Sequence, residues 1–276
     1  MAKTKTSLSL LIFANLIVLS LSSSQLDLFL YGGCTQQRYT PNSPYELNLN
    51  SLLTSLVNSA TYSSYNNYTV VGADDVAYGL YQCRGDISMP DCATCISRAV
   101  SRAGVLCQEA RGGAVQLEGC YVKYDNAKFL GAEDKTVVLR KCGPSAGYSL
   151  GERDAVLSGL AGSGGYFRVG GAGGLTGVAQ CTGDLSYAEC QDCVSEAIRR
   201  LRSECAAADY GDMFLVKCYA RYSNAGAHAY TKAHAGKSNN SDGEKTFAII
   251  IGLLAGVAIL VIFLAFVRRI CGGQGK

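Results

Sequence analysis

The chain has 276 residues, 48% of them hydrophobic and 17% charged, which excludes intrinsic disorder and leaves room for two domains. Its formal charge of +3 is misleading, because Lys3 and Lys5 precede a first apolar run and Arg268, Arg269 and Lys276 follow a last one. Between them 20 basic residues face 22 acidic ones, a near-neutral balance that excludes a nucleic-acid-binding surface, which needs a clustered basic excess.

In chain order, a basic start, an apolar run at residues 8–21 and small residues at Ser22, Ser23 and Ser24 read as a signal peptide over residues 1–24. A run of 14 residues is short for a membrane span of roughly 20. Twelve of the 13 cysteines then lie between the two apolar runs, an even number in an oxidising compartment, which suggests disulfides. Cys83, Cys92, Cys95, Cys107 and Cys120 recur at Cys181, Cys190, Cys193, Cys205 and Cys218, each 98 residues on. Cys34 and Cys142 complete two sets of six. Cys83-Arg84-Gly85-Asp86-Ile87-Ser88 recurs as Cys181-Thr182-Gly183-Asp184-Leu185-Ser186. This is a duplicated domain, expected over 25–130 and 131–232, and each copy is of ordinary domain size.

Within each copy Leu49, Leu52, Leu53, Leu56 and Val57, echoed by Val156, Leu157 and Leu160, predict a first helix. Ser88 with Asp91, and Ser186 with Glu189, have the spacing of a helix-capping box. Behind them Cys92, Cys95, Ile96, Ala99 and Ala103, and Cys190, Cys193, Val194, Ala197, Ile198 and Leu201, form the stripe of a second helix. A strand follows, with Phe214, Val216, Cys218, Ala220 and Tyr222 alternating with Lys217 and Arg221, and residues 115–124 less cleanly. The fold class is α+β, with two helices on an antiparallel sheet in each of two disulfide-stapled domains. The Gly-rich stretch 159–177 lacks the G-K-[ST] and G-x-G-x-x-G patterns of nucleotide sites and reads as a flexible loop.

A linker at 233–245 leads to 22 uncharged residues, 246–267, about 33 Å as a helix. Fifteen are Leu, Ile, Val or Phe, together worth roughly −5 to −9 kcal/mol on insertion. Arg268 and Arg269 open a tail at 268–276 and place it in the cytoplasm, giving a type I single-pass protein. That tail also argues against a glycosylphosphatidylinositol signal, which ends in its apolar segment. Gly252 and Gly256 form a G-x-x-x-G through which helices of two copies could approach.

Candidate chemistry is sparse. The Cys92-x-x-Cys95 pair fits a structural disulfide better than zinc or redox work, being part of a duplicated six-cysteine set. His228 and His234 lie in an Ala, Gly and Ser-rich stretch, so a nucleophile has no placed base. Asp74 and Asp75 read as solvated turn residues. No catalytic residue, cofactor or metal site is expected. Asn67 and Asn239 head N-glycosylation acceptors, and Cys271, just past the span, is a candidate for S-palmitoylation.

The C-x8-C-x2-C signature at Cys83 to Cys95 and at Cys181 to Cys193, twice in one chain with a span and a nine-residue tail, resembles the plasmodesmata-located protein family. Its tandem domains are of the ginkbilobin, or stress-antifungal, type, and the similarity covers roughly residues 25–230. Spacing alone leaves 15 pairings open in each domain. The resemblance implies Cys34–Cys107, Cys83–Cys92, Cys95–Cys120, Cys142–Cys205, Cys181–Cys190 and Cys193–Cys218. It also implies a non-enzymatic protein of the cell membrane at plasmodesmata that restricts cell-to-cell movement and promotes callose deposition. The implied partners are other plasmodesmal membrane proteins, a second copy, viral movement proteins and cell-wall glycans. An anchored carbohydrate-binding or antifungal protein is the alternative. The ginkbilobin type holds mannose through an Asn, an Arg and a Glu; this chain has Thr35, Ala114 and Asp125 there, and Gly143, Asp212 and Ser223 in the second copy. The charged grip on sugar hydroxyls is therefore expected to be missing.

Overall fold

A computed structural model describes residues 25–72, 75–144, 150–205 and 208–224. The expected signal peptide, linker, membrane helix at 246–267 and tail lie outside the described residues, as do Asp74, His228, His234, Asn239 and Cys271. Among the described residues no helix is long and apolar enough to cross a membrane.

The first copy runs β1 (Phe29–Cys34), α1 (Pro44–Ser59), β2 (Tyr65–Gly72), β3 (Asp75–Cys83), α2 (Met89–Leu106), β4 (Gly113–Leu117) and β5 (Cys120–Asp125). Its strands form one antiparallel sheet in the order β1-β4-β5-β3-β2. The second copy repeats this with β6 (Val137–Cys142), α3 (Leu150–Gly162), β7 (Phe167–Ala172), β8 (Leu175–Cys181), α4 (Tyr187–Glu204), β9 (Tyr210–Leu215) and β10 (Cys218–Asn224). Its sheet order is β6-β9-β10-β8-β7, also antiparallel.

Three of the four helices start at a serine cap. Ser43, Ser88 and Ser186 accept a bond from the free N–H three residues on, and the Glu189 carboxylate accepts one from the Ser186 N–H, completing the box at α4. The stripes are buried: Leu49, Leu52 and Leu56 of α1 and Val156, Leu157 and Leu160 of α3 are at most 4% exposed. Each such side chain contributes about 1.5–3 kcal/mol in area terms. They pack on one face of their sheet with Ala77, Tyr81, Val115, Val122 and Tyr124, or with Ala179, Met213, Leu215, Ala220 and Tyr222.

Disulfides fasten the second helix of each copy to its sheet at three points. Cys83 and Cys120 face each other across β3 and β5, and bind Cys92 and Cys95 of α2; Cys107, at the far end, binds Cys34 of β1. Cys181–Cys190, Cys193–Cys218 and Cys142–Cys205 repeat the arrangement around α4.

Two sequence expectations are corrected. The alternation from Phe214 to Tyr222 is not one strand: Val216 and Lys217 turn the chain between β9 and β10, as Glu118 and Gly119 do between β4 and β5. Alternation survives a hairpin because both arms expose the same two faces, so period alone cannot see the turn. The Gly-rich stretch is not a loop but the end of α3 and the β7–β8 hairpin. Gly173 and Gly174, with φ of 59° and 93°, form the two-residue turn, and only glycine takes that backbone cheaply at both places.

Candidate functional site

The sheet faces that carry no helix meet each other, and the contact follows the internal repeat. Gln82 and Gln180 are equivalent residues 98 apart: Gln180 Nε2 donates to the Cys83 carbonyl at 3.0 Å, and Gln82 Oε1 accepts from the Gly183 N–H at 3.0 Å. Tyr65 and Phe167, each paired with one of these glutamines, lie against the glycine of the opposite copy's repeated motif. A Cβ on Gly85 would stand 2.4 Å from the Phe167 ring, and one on Gly183 2.7 Å from the Tyr65 ring. The repeated Gly-Asp therefore makes room for the other domain. Gly85→Ala should cost about 1–3 kcal/mol through overpacking, and Phe167→Ala in the same chain should relieve the clash. A thermal-unfolding double-mutant cycle measures this; strictly additive losses would contradict it.

Between these contacts lie an aromatic patch and a chain of charges that runs from exposed Asp86 into the buried seam. Tyr31 meets Phe214 edge-on at 5.6 Å, and Phe214 stacks on Tyr219 at 4.9 Å. Asp86, Arg84, Glu118, Arg221 and Asp212 follow one another at 2.6, 3.0, 2.8 and 2.7 Å, and Glu118 binds an arginine from each domain. Lys217, 2% exposed, pairs with Asp184 and donates to the Phe129 carbonyl at 2.9 Å, tying down the connection between the domains. The sequence brought Arg84, Asp86, Asp184, Asp212, Lys217 and Arg221 to notice one by one, as parts of a repeat or a strand pattern, but nothing in it joined them, and Glu118, which links the two domains, gave no signal.

Burial pushes the Asp212 carboxyl up to about 6 against the pull of Arg221, with Glu118 adding to the rise and Lys141 opposing it. Between the unfolded carboxylate range and about pH 6, Asp212 therefore takes up a proton on folding. Its stabilising contribution is present below the unfolded carboxylate range and is lost as pH rises through about 6. The thermal midpoint should fall by a few degrees between about pH 5 and about pH 7, and Asp212→Asn should flatten that part of the profile.

An open groove of about 390 Å³ runs beside this seam, floored by Gly32 and Gly33 of β1 and by Gly112 and Gly113 at the start of β4, and reached by Val138 and Val216 of the second domain. Thr35, Ala114 and Asp125 all line it. The Thr35 hydroxyl accepts from the Gly112 N–H at 2.8 Å, and one Asp125 oxygen accepts from the Ala127 N–H at 3.0 Å. Lys123 also lines the groove, its Nζ 4.6 Å from the centre of the Phe129 ring. Burial and the neighbouring Lys217 lower its pKa. The second copy has closed the equivalent place. A Cβ on Gly143 would meet Asp209 at 1.8 Å, Asp212 is bound to Arg221, and Ser223 is buried. The six positions thus make one open site and one filled one.

The remaining sequence candidates lie elsewhere. The six disulfides hold all twelve cysteines between residues 34 and 218, Asn67 is exposed on the edge strand β2, and Asp75 pairs with Arg111 at 3.0 Å. Among the described residues no group of three or more His, Cys, Asp or Glu could hold a metal ion.

A family model described as salt stress response/antifungal matches residues 33–127 and 149–225. The chain is 59% identical to plasmodesmata-located protein 7 of Arabidopsis thaliana over 99% of its own length and 93% of that protein's. It is 57% identical to plasmodesmata-located protein 6 of the same plant, over 92% and 93%. Among solved structures, the tandem DUF26 ectodomain of the Arabidopsis thaliana cysteine-rich receptor-like protein PDLP5 superposes with a TM-score of 0.69 at 45% identity. That match covers 72% of this chain and 100% of the other. With both cysteine-rich repeats and nearly the whole chain matched, the protein belongs to the plasmodesmata-located protein family.

Proposed function

We propose that this chain is a non-enzymatic, receptor-like membrane protein of plasmodesmata that modulates cell-to-cell trafficking. The observation that carries the reading is similarity over nearly the full chain to plasmodesmata-located proteins, rather than over the cysteine-rich domains alone. In this reading residues 1–24 are removed, the tandem domains face the wall, residues 246–267 span the membrane, and the tail is cytoplasmic. Asn67 and Asn239 carry N-glycans and Cys271 a palmitoyl chain. Regulation of permeability runs through callose deposition and through assembly with other plasmodesmal membrane proteins or a second copy; viral movement proteins engage the same protein.

An anchored wall-glycan-binding role is the second reading, favoured by the groove that Thr35 and Asp125 line. Imaging a C-terminal fluorescent fusion in leaf epidermis with callose counterstained tests the first. Puncta spanning the wall and coincident with callose support it; an even plasma-membrane signal overturns it and leaves the glycan-binding role.

A further inference from the structure

The two copies make an internal comparison at one cross-strand pair. In the second, Asp212 of β9 pairs with Arg221 of β10, and its carboxylate accepts from the guanidinium at 2.7 Å. In the first, the equivalent pair is Ala114 of β4 with Lys123 of β5. The cation is kept and the carboxylate is gone. The Lys123 side chain has no hydrogen bond or ion pair among the described residues, only the Phe129 ring, and it lines the groove. Asp125, Asp134 and Asp184 act on this ammonium only through space, and a partly desolvated cation with no carboxylate in direct contact is a costly arrangement that a bound carboxylate relieves.

We propose that the groove beside Ala114 and Lys123 binds the carboxylate of an acidic sugar, which occupies the place that the Asp212 carboxylate fills in the second copy. The rest of the groove selects for the sugar. Asp125, on the same strand face two residues from Lys123, offers a carboxylate oxygen beyond the one that caps Ala127, and so calls for hydroxyl donors rather than a second anion. Tyr31, Tyr121, Val138 and Val216 supply apolar surface for the C–H face of a ring, and the glycine floor lets it approach the backbone. A hydroxylated carboxylic acid, of which a uronic acid residue is the compact case, meets both ends. The proposal specifies the ligand of the second, glycan-binding reading and stands apart from localisation, which can succeed or fail on its own.

Binding of a galacturonic acid trisaccharide to the detergent-solubilised full-length protein, measured by calorimetry beside the neutral galactose trisaccharide, provides the test. The acidic sugar should bind at least about tenfold more tightly, weakening with added salt. Lys123→Gln should remove most of that preference. Ala114→Asp, which copies the second domain's own carboxylate into the first, should abolish binding while the thermal midpoint stays close to that of the parent. Equal binding of the two sugars, undiminished binding in Lys123→Gln, or a stronger preference for an acidic peptide such as tri-glutamate would each overturn the assignment.

Discussion

Arg221→Met lowers the stability of the folded tandem by about 3–5 kcal/mol, the range for removing one partner of a buried ion pair. Arg221 serves two carboxylates at once: it meets Glu118 of the first domain at 2.8 Å and Asp212 of its own at 2.7 Å. The Glu118 and Asp212 side chains are 5% and 2% exposed, so water cannot replace the guanidinium at low cost. One Glu118 oxygen already lacks a hydrogen-bond partner, and the other would keep only Arg84. The loss therefore comes mostly from stranded carboxylates rather than from a vanished attraction. Replacing Glu118 and Asp212 by Leu in the same chain should recover most of it. Thermal unfolding followed by tyrosine fluorescence, with 17 tyrosines and no tryptophan, reads both variants. A loss below about 1 kcal/mol in Arg221→Met would mean that the seam opens to solvent, as expected of an exposed pair.

The second large effect concerns the disulfides. Cys34–Cys107 closes a sequence separation of 73 residues and Cys83–Cys92 one of 9. In the chain-entropy description the longer loop stabilises by about 4.4 kcal/mol and the shorter by about 2.7 kcal/mol. Removing both cysteines of the long bridge should therefore destabilise by more than removing both of the short one. The geometry sharpens the contrast, because Cys34–Cys107 alone ties β1 and the C-terminal end of α2 together, whereas the start of α2 keeps Cys95–Cys120 when Cys83–Cys92 is lost. Denaturant unfolding of the two double-alanine variants measures the difference. The reverse order would mean that strain or denatured-state structure, rather than loop closure, governs these bridges.

Much of each domain was legible in one dimension because its signals are local. A serine three residues before an acid starts a helix, and a stripe at helical spacing names its buried face; both signals appear twice, and the duplication reinforced each. Strands were less legible. β1, β2, β3 and their equivalents carry no clean alternation, since Gly32, Gly79 and Gly177 interrupt the pattern at places where a neighbour's side chain occupies the space a Cβ would need: Leu106, Leu52 and Val156. Those glycines answer to tertiary packing, which a local period does not register.

The candidate site divides in the same way. The positions of Thr35, Ala114 and Asp125 follow from counting along the chain from the cysteines, and so does the loss of a charged grip on a neutral sugar. That these three line an open groove while Gly143, Asp212 and Ser223 are filled in does not follow from counting, because the two sets sit at equivalent places in equivalent domains. What separates them lies outside their own strands. Glu118 comes from a turn 103 residues before Arg221, and makes the second copy's cation part of a buried chain. Duplication, disulfide framework and helix faces were set by short-range spacing, where each residue's neighbours in the chain are its neighbours in space. Which of two equivalent faces stays open was decided by the docking of one copy on the other, since burial of Lys217, Arg221 and Asp212 depends on a surface that no local pattern contains.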